Sequence, residues 1–239
     1  MHPDHFHYTL FFLLWGITIM GCGHTIGGVD IWQAVERNDA QAIRTFHESG
    51  GDVNIQRLDG STPLWVALEE KKRESFETLL ELGASPNIVM SGKRVVTHWA
   101  ALEEDSWWLE KVLKNGADPN LMNTGYGRPS ESSPLSFAIT DHNLANVKLL
   151  VQKGANINLP NKYDTFPLAE AAFQNDFSIV LYLLENGADP QIAQMSGLTF
   201  LDWLKQRKLE WYALEEDRQG LIQVREWLEA RGYDLGELQ

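Results

Sequence analysis

Two kinds of apolar block alternate along this chain. The first is a short segment reading DIWQAV from Asp30, STPLWVAL from Ser61, VVTHWAAL from Val95, SSPLSFAI from Ser132, TFPLAEAA from Thr165 and LTFLDWL from Leu198, in which Ala34, Ala67, Ala100, Ala138 and Ala171 coincide. The second is marked by apolar pairs: Leu79 with Leu80, Val112 with Leu113, Leu149 with Leu150 and Leu183 with Leu184. A glycine closes each second block. Gly50, Gly83 and Gly116 are 33 residues apart, Gly154 follows after 38, and Gly187 after another 33. A period held through five copies is the mark of a repeat architecture, and the pattern predicts stacked pairs of short helices.

Each recurring residue has a mechanical job. Thr62 can cap a first helix through its hydroxyl, and Pro63, like Pro134 and Pro167, fits the first turn, where its missing N–H leaves nothing unpaired. The alanines let paired helices approach closely, and the glycines end the second helix in a left-handed conformation. Asp, Pro and Asn then start the turn to the next unit. One helix pair cannot bury its apolar face alone, so the end units need their own chemistry. At the carboxyl end residues 200–204 begin a sixth unit, and GLIQVREWLEARGYD from Gly220 reads as a closing cap. Trp211 and Tyr212, between them, are expected in the core of that cap. Of the adjacent Trp107 and Trp108, one must be partly exposed, because neighbours on a helix cannot both face inward.

The blocks resemble the ankyrin repeat, whose motif T-P-L-H-x-A is followed about 16 residues later by G-A-D-x-N. Thr62, Pro63, Leu64 and Ala67 reproduce the first part, and KNGADPN from Lys114 the second. The resemblance covers about residues 27–204 and implies an all-α solenoid of five to six helix-turn-helix units, with repeats over 30–204 and a helical cap over 205–239. His98 stands at the family's histidine position, which implies a structural role, tying adjacent turns by hydrogen bonds. In the family the second and third residues after the aligned alanine tend to face the concave surface. Here these are Glu69 and Glu70, then Leu102 and Glu103, then Phe173 and Gln174, so the resemblance implies either an acidic, partly apolar binding stripe or a solvated helix face. The long step carries a five-residue insertion within residues 121–132. Its Tyr126 and Arg128, with Lys162 and Tyr163 on the next turn, are candidate partner contacts, since insertions collect on loops of one face.

The amino terminus has a different character. Between Asp4 and Asp30 there is no charged residue, and YTLFFLLWGITIM, an apolar run of 13, has the length of a secretory h-region and falls short of the ~20 residues of a spanning helix. Ile19-Met20-Gly21-Cys22 resembles the lipobox of bacterial lipoproteins. That resemblance implies a signal peptide over 1–21, lipidation of Cys22, a tether over 22–29, and, with Gly23 in the following position, the outer membrane. Cys22 is the single cysteine, so a structural disulfide within the chain is impossible. An incidental thiol and an uncleaved anchor remain the alternatives.

Charge narrows the partner. Thirty-three acidic against 20 basic residues give a net charge of -13, which repels a phosphate backbone and favours a basic protein. No Gly-rich phosphate loop, metal-binding histidine pair beyond His5 and His7, or nucleophile elbow is present, so neither enzyme, metal nor cofactor is expected. The plan resembles bacterial ankyrin lipoproteins that serve as immunity proteins, occluding toxic effectors such as phospholipases. The alternative is a membrane-tethered scaffold for an endogenous enzyme, with no inhibitory role.

Overall fold

The computed structural model describes residues 25–90, 94–123, 131–194 and 196–236. Five helix pairs follow one another: α1 (Ile31–Glu36) with α2 (Ala40–Glu48), α3 (Pro63–Glu69) with α4 (Arg73–Glu81), α5 (Val96–Ala101) with α6 (Trp107–Lys114), α7 (Pro134–Thr140) with α8 (Leu144–Gln152), and α9 (Pro167–Phe173) with α10 (Phe177–Glu185). The array ends in α11 (Phe200–Lys205), a 3-10 turn (Leu209–Trp211) and α12 (Glu215–Glu229). First helices stack on first helices, and α12 packs on α10. One continuous apolar core results, running from Ile31 through Leu64, Phe76, Leu109, Leu135, Leu150 and Leu183 to Leu228.

The caps follow the local sequence. Thr62 Oγ1 accepts the Trp65 N–H at 3.2 Å, Ser133 Oγ that of Ser136 at 3.4 Å, and Asp30 that of Trp32 at 2.9 Å. Val95 and Phe166, which lack a polar side chain at that position, give no such cap. The five period-marking glycines lie just past the second helices with φ between +84° and +96°, where a side chain would be strained.

The asparagine after each glycine does more than start a turn. Asn87 Nδ2 donates to the Gly116 carbonyl at 2.8 Å while its Oδ1 accepts the Asp118 N–H at 2.9 Å. Asn120 repeats this with Gly154 at 3.1 Å and Asn156 at 2.6 Å, and Asn54 and Asn158 make the same pair of bonds to Gly83 with Ser85 and to Gly187 with Asp189. These rungs satisfy the glycine carbonyls just past the second helices and tie each unit to the next. At the next step the residue is Gln191, and the helix that follows α11 is displaced to the cap.

Three places depart from the sequence pattern. Residues 25–30, mostly assigned to a tether, form a two-stranded hairpin, β1 (Thr25–Ile26) with β2 (Val29–Asp30), packed on α2. The cap helix begins at Glu215, and Gly220 lies inside it because a Cβ there would meet the Phe177 Cβ at 2.5 Å. In the cap Tyr212 is buried as expected, but Trp211 is 55 % exposed, lying under Arg207 at 5.3 Å. Trp108 is buried and Trp107 half-buried, as helix geometry requires.

Asn120→Ala should lower the free energy of unfolding by about 1–3 kcal/mol, because the Gly154 carbonyl and Asn156 N–H lose their partner together. Urea unfolding of the two proteins measures the difference, and a change under a few tenths would deny the rung its role.

Candidate protein-binding face

Between each second helix and the next first helix the chain makes a turn that closes on itself. The N–H of Arg57 donates to the Ser61 carbonyl at 2.9 Å, and Met90 to Arg94, Asn161 to Thr165 and Gln194 to Leu198 do the same at 2.9–3.0 Å. Asn123 donates to Ser132 at 3.0 Å, so the same closure brackets the insertion. Tyr126 and Arg128 lie outside the described residues, as does Cys22.

The carboxylates expected as an acidic stripe are largely paired. Glu70 meets Lys72 at 3.8 Å, Glu103 pairs with Lys71, and Asp105 with Arg73. The physical reason is that Lys71, Lys72 and Arg73 follow Glu69 and Glu70 directly, and a spacing of 32 residues sets Lys71 beside Glu103 and Arg73 beside Asp105. Glu69 has no such partner among the described residues. Burial, then the like charges of Glu70 and Asp59, push its pKa up.

Leu102, expected on the concave stripe, is half-buried against the core at the end of α5. Gln174 is committed within the fold, donating to the Ile139 carbonyl at 3.2 Å. Phe173 does project, 55 % exposed, with its ring 6.4 Å from Trp203. Tyr163 is 60 % exposed at a fingertip beside Lys162, whose ammonium lies 5.1 Å from the ring and 3.7 Å from Glu131.

The sequence reading passed over a cleft. Asp59, Ser61, Trp65, Met90, Arg94 and Trp99 enclose about 220 Å³ between the second and third units. Trp65 and Trp99 meet edge to face at 6.5 Å. The Arg94 guanidinium lies 4.8 Å from the Trp99 ring and 5.2 Å from that of Phe137. A signal was present: Arg94 stands in the register of Ser61, Ser132 and Thr165, so a long cation replaces a small hydroxyl.

Beneath the cleft His98 is fully buried, its ring 4.9 Å from Phe137. Nδ1 accepts the Val95 N–H at 3.2 Å, which leaves the proton on Nε2 facing the Ser132 carbonyl at 3.3 Å. Burial lowers its pKa to about 4, with the Arg94 charge acting in the same direction. The ring is neutral and ties one finger to the next. Among the described residues no group of three His, Cys, Asp or Glu side chains could hold a metal ion, and no helix is long and apolar enough to cross a membrane.

Repeated helix pairs joined by closed fingers define a class of stacked-repeat proteins. The sequence profile of ankyrin repeats (3 copies) matches residues 31–123 and again 97–194, and the chain belongs to the ankyrin-repeat family. Among solved structures, the ankyrin repeat domain of Bcl-3, described as a unique member of the IkappaB protein family, superposes with a TM-score of 0.68 at 23 % identity over 85 % of this chain and 86 % of that one. The ankyrin repeat protein EF0377 gives 0.67 at 24 % identity over 85 % and 97 %. At these identities the likeness concerns the fold alone. No curated protein matches the chain in sequence.

Because the unfolded chain protonates His98 near its ordinary value and the folded chain only near 4, this group should cost stability as pH falls from about 6.5 to 4, by roughly 3 kcal/mol at the end of the window. Glu170, whose pKa burial raises, adds its own dependence, common to wild type and variant. Urea unfolding of wild type and His98→Gln at pH 7 and pH 4 isolates the histidine. The wild type should lose more than the variant, and equal losses would contradict a neutral buried ring.

Proposed function

We propose that this protein is a periplasmic ankyrin-repeat lipoprotein, held at the membrane through Cys22, that occludes a toxic effector protein on its finger side. Ankyrin repeats indicate a protein-binding role. The observation that carries the reading is the placement of exposed apolar side chains. Among the described residues, Leu58, Val89, Tyr163 and Leu198 lie on fingers, Phe173 ends a first helix, and Trp211 and Leu214 lie in the cap connection. None lies on a second helix, so the surface with unsatisfied apolar area is the one a partner would cover. The net charge of -13 steers a basic protein toward it, and the insertion carrying Tyr126 and Arg128 supplies two further candidate contacts.

Support for the address comes from the 13-residue apolar run of residues 8–20 and the Gly21-Cys22 that follows it. The effector role rests on the resemblance to immunity lipoproteins, since a fold of this kind does not dictate function.

Co-expression with the product of a neighbouring gene directed to the periplasm should restore growth, and the two proteins should purify as a one-to-one complex. Cys22→Ala should move the protein from the membrane to the soluble periplasmic fraction. A stable complex without protection would favour the tethered scaffold, and neither complex nor protection would overturn both.

A further inference from the structure

Arg94 is an unusual cation in this acidic chain. Its neighbours along the array have carboxylate partners: Arg57 reaches Glu36 at 3.3 Å, Lys72 reaches Glu70 at 3.8 Å, and Lys71 and Arg73 pair with Glu103 and Asp105. The Arg94 guanidinium has neither an ion pair nor a hydrogen bond among the described residues, only the faces of Trp99 and Phe137. Asp59 lines the same cleft but is engaged elsewhere, accepting the Ser61 N–H at 2.9 Å and the Ser61 hydroxyl at 2.6 Å. Burial pulls the Arg94 pKa below its ordinary value, yet a guanidinium keeps its proton. A half-buried, permanently charged fork therefore sits on an aromatic shelf with its donors unused.

What would complete it follows from shape and charge. A planar guanidinium matches a carboxylate through two parallel hydrogen bonds, and stacking on two rings removes much of the freedom that binding would otherwise cost. The walls are the indoles of Trp65 and Trp99 with Met90, and the exposed Leu58 and Val89 adjoin the cleft in sequence, so the anion must arrive on an apolar stalk. At about 220 Å³ the space falls below the ~300–1,000 Å³ of sites that enclose a small-molecule ligand, and suits a single side chain. A polyanion is disfavoured by the net charge of -13. Tryptophan and arginine side by side, half-buried and adjoined by apolar side chains, are the residue types that dominate interface hot spots.

We propose that the Trp65, Arg94 and Trp99 cleft is an anchoring pocket for an aspartate or glutamate side chain presented by a partner protein. The proposal rests on the protein-binding reading and adds the chemistry of its central contact. Steering and anchoring then have opposite local signs: the overall negative charge attracts a basic protein at long range, and one acidic side chain on that protein fixes the register at short range.

The test is to pan the full chain in detergent micelles against a phage-displayed random dodecapeptide library, with enriched sequences resynthesised as carboxyl-terminal amides. The enriched peptides should share an acidic residue beside an apolar one. Changing that acid to its amide should weaken binding at least about tenfold, Arg94→Gln should do the same, and the two changes together should add little further loss. Trp65→Ala should also weaken binding, and unchanged urea midpoints for both variants keep folding out of the comparison. Arg94→Lys, which keeps the charge without the fork, should recover only part of the affinity. The pocket is overturned by peptides that bind Arg94→Gln as well as wild type, by enrichment without acidic residues, by binding that needs a free carboxyl terminus, or by no enrichment at all. The protein-binding reading is judged separately by the one-to-one complex and growth protection, so a complex whose affinity is unchanged in Arg94→Gln would remove the pocket and leave that reading standing.

Discussion

No helix pair in this array can stand alone. The helices from α1 to α11 are six to nine residues long, below the roughly 12–15 at which an isolated helix becomes even marginal in water. Their stability has to come from burying apolar faces against neighbours, which is why Leu79, Leu109, Leu150 and Leu183 are fully enclosed although each belongs to a different unit. Apolar contact is non-directional and would tolerate a range of offsets. The asparagine rungs supply direction: each bridges the backbone of two successive turns, so the pitch set by Asn54, Asn87, Asn120 and Asn158 repeats although the packing residues vary.

That division of labour frees the other side of the molecule. The spine consumes one face of each helix, and the rungs occupy the turn after each second helix. The fingers and the solvent face of the first helices are left with little structural duty. The position of the family histidine shows the freedom directly. In the third unit it is His98, fully buried and bonded to two backbones, while in the second it is Trp65, half-buried and lining a cleft. One column of the repeat serves cohesion in one unit and surface chemistry in the next.

The repeat itself was legible because glycine, proline and alanine answer to backbone constraints that hardly depend on neighbours. The period, the caps at Thr62 and Ser133 and the left-handed glycines all follow from such local requirements. What was hidden arises between units, where a contact depends on two segments about 30 residues apart. The carboxylates Glu69, Glu70 and Glu103 read as a stripe because a sequence displays like residues in register. The pairing of Lys71 with Glu103 depends on an offset of 32, one short of the period, and only folding reveals it. The same holds for Trp211, whose neighbour Tyr212 took the core position, while the cap helix starts at Glu215 with an acidic first turn, ahead of the apolar residues that the pattern marked. The hairpin at residues 25–30 gave no pattern long enough to read.

Arg94 shows how one residue can bear on both sides of this division. The third unit is the irregular one: its helix-joining turn lacks the left-handed residue that Asn38, Lys71, His142 and Asn175 supply elsewhere, and α6 touches α8 less than other neighbouring second helices touch. Polar bonds make up the join, with Asn146 Nδ2 donating to the carbonyls of Ala101 at 3.1 Å and Glu103 at 2.8 Å, and His98 reaching Ser132. The Arg94 guanidinium spans that same join, with Trp99 on one side and Phe137 on the other. A charge seated on Arg94 therefore acts at the join between the third and fourth units. Any ligand that binds only the folded form stabilises it by mass action, and one held by Arg94 would do so at a contact shared by two units.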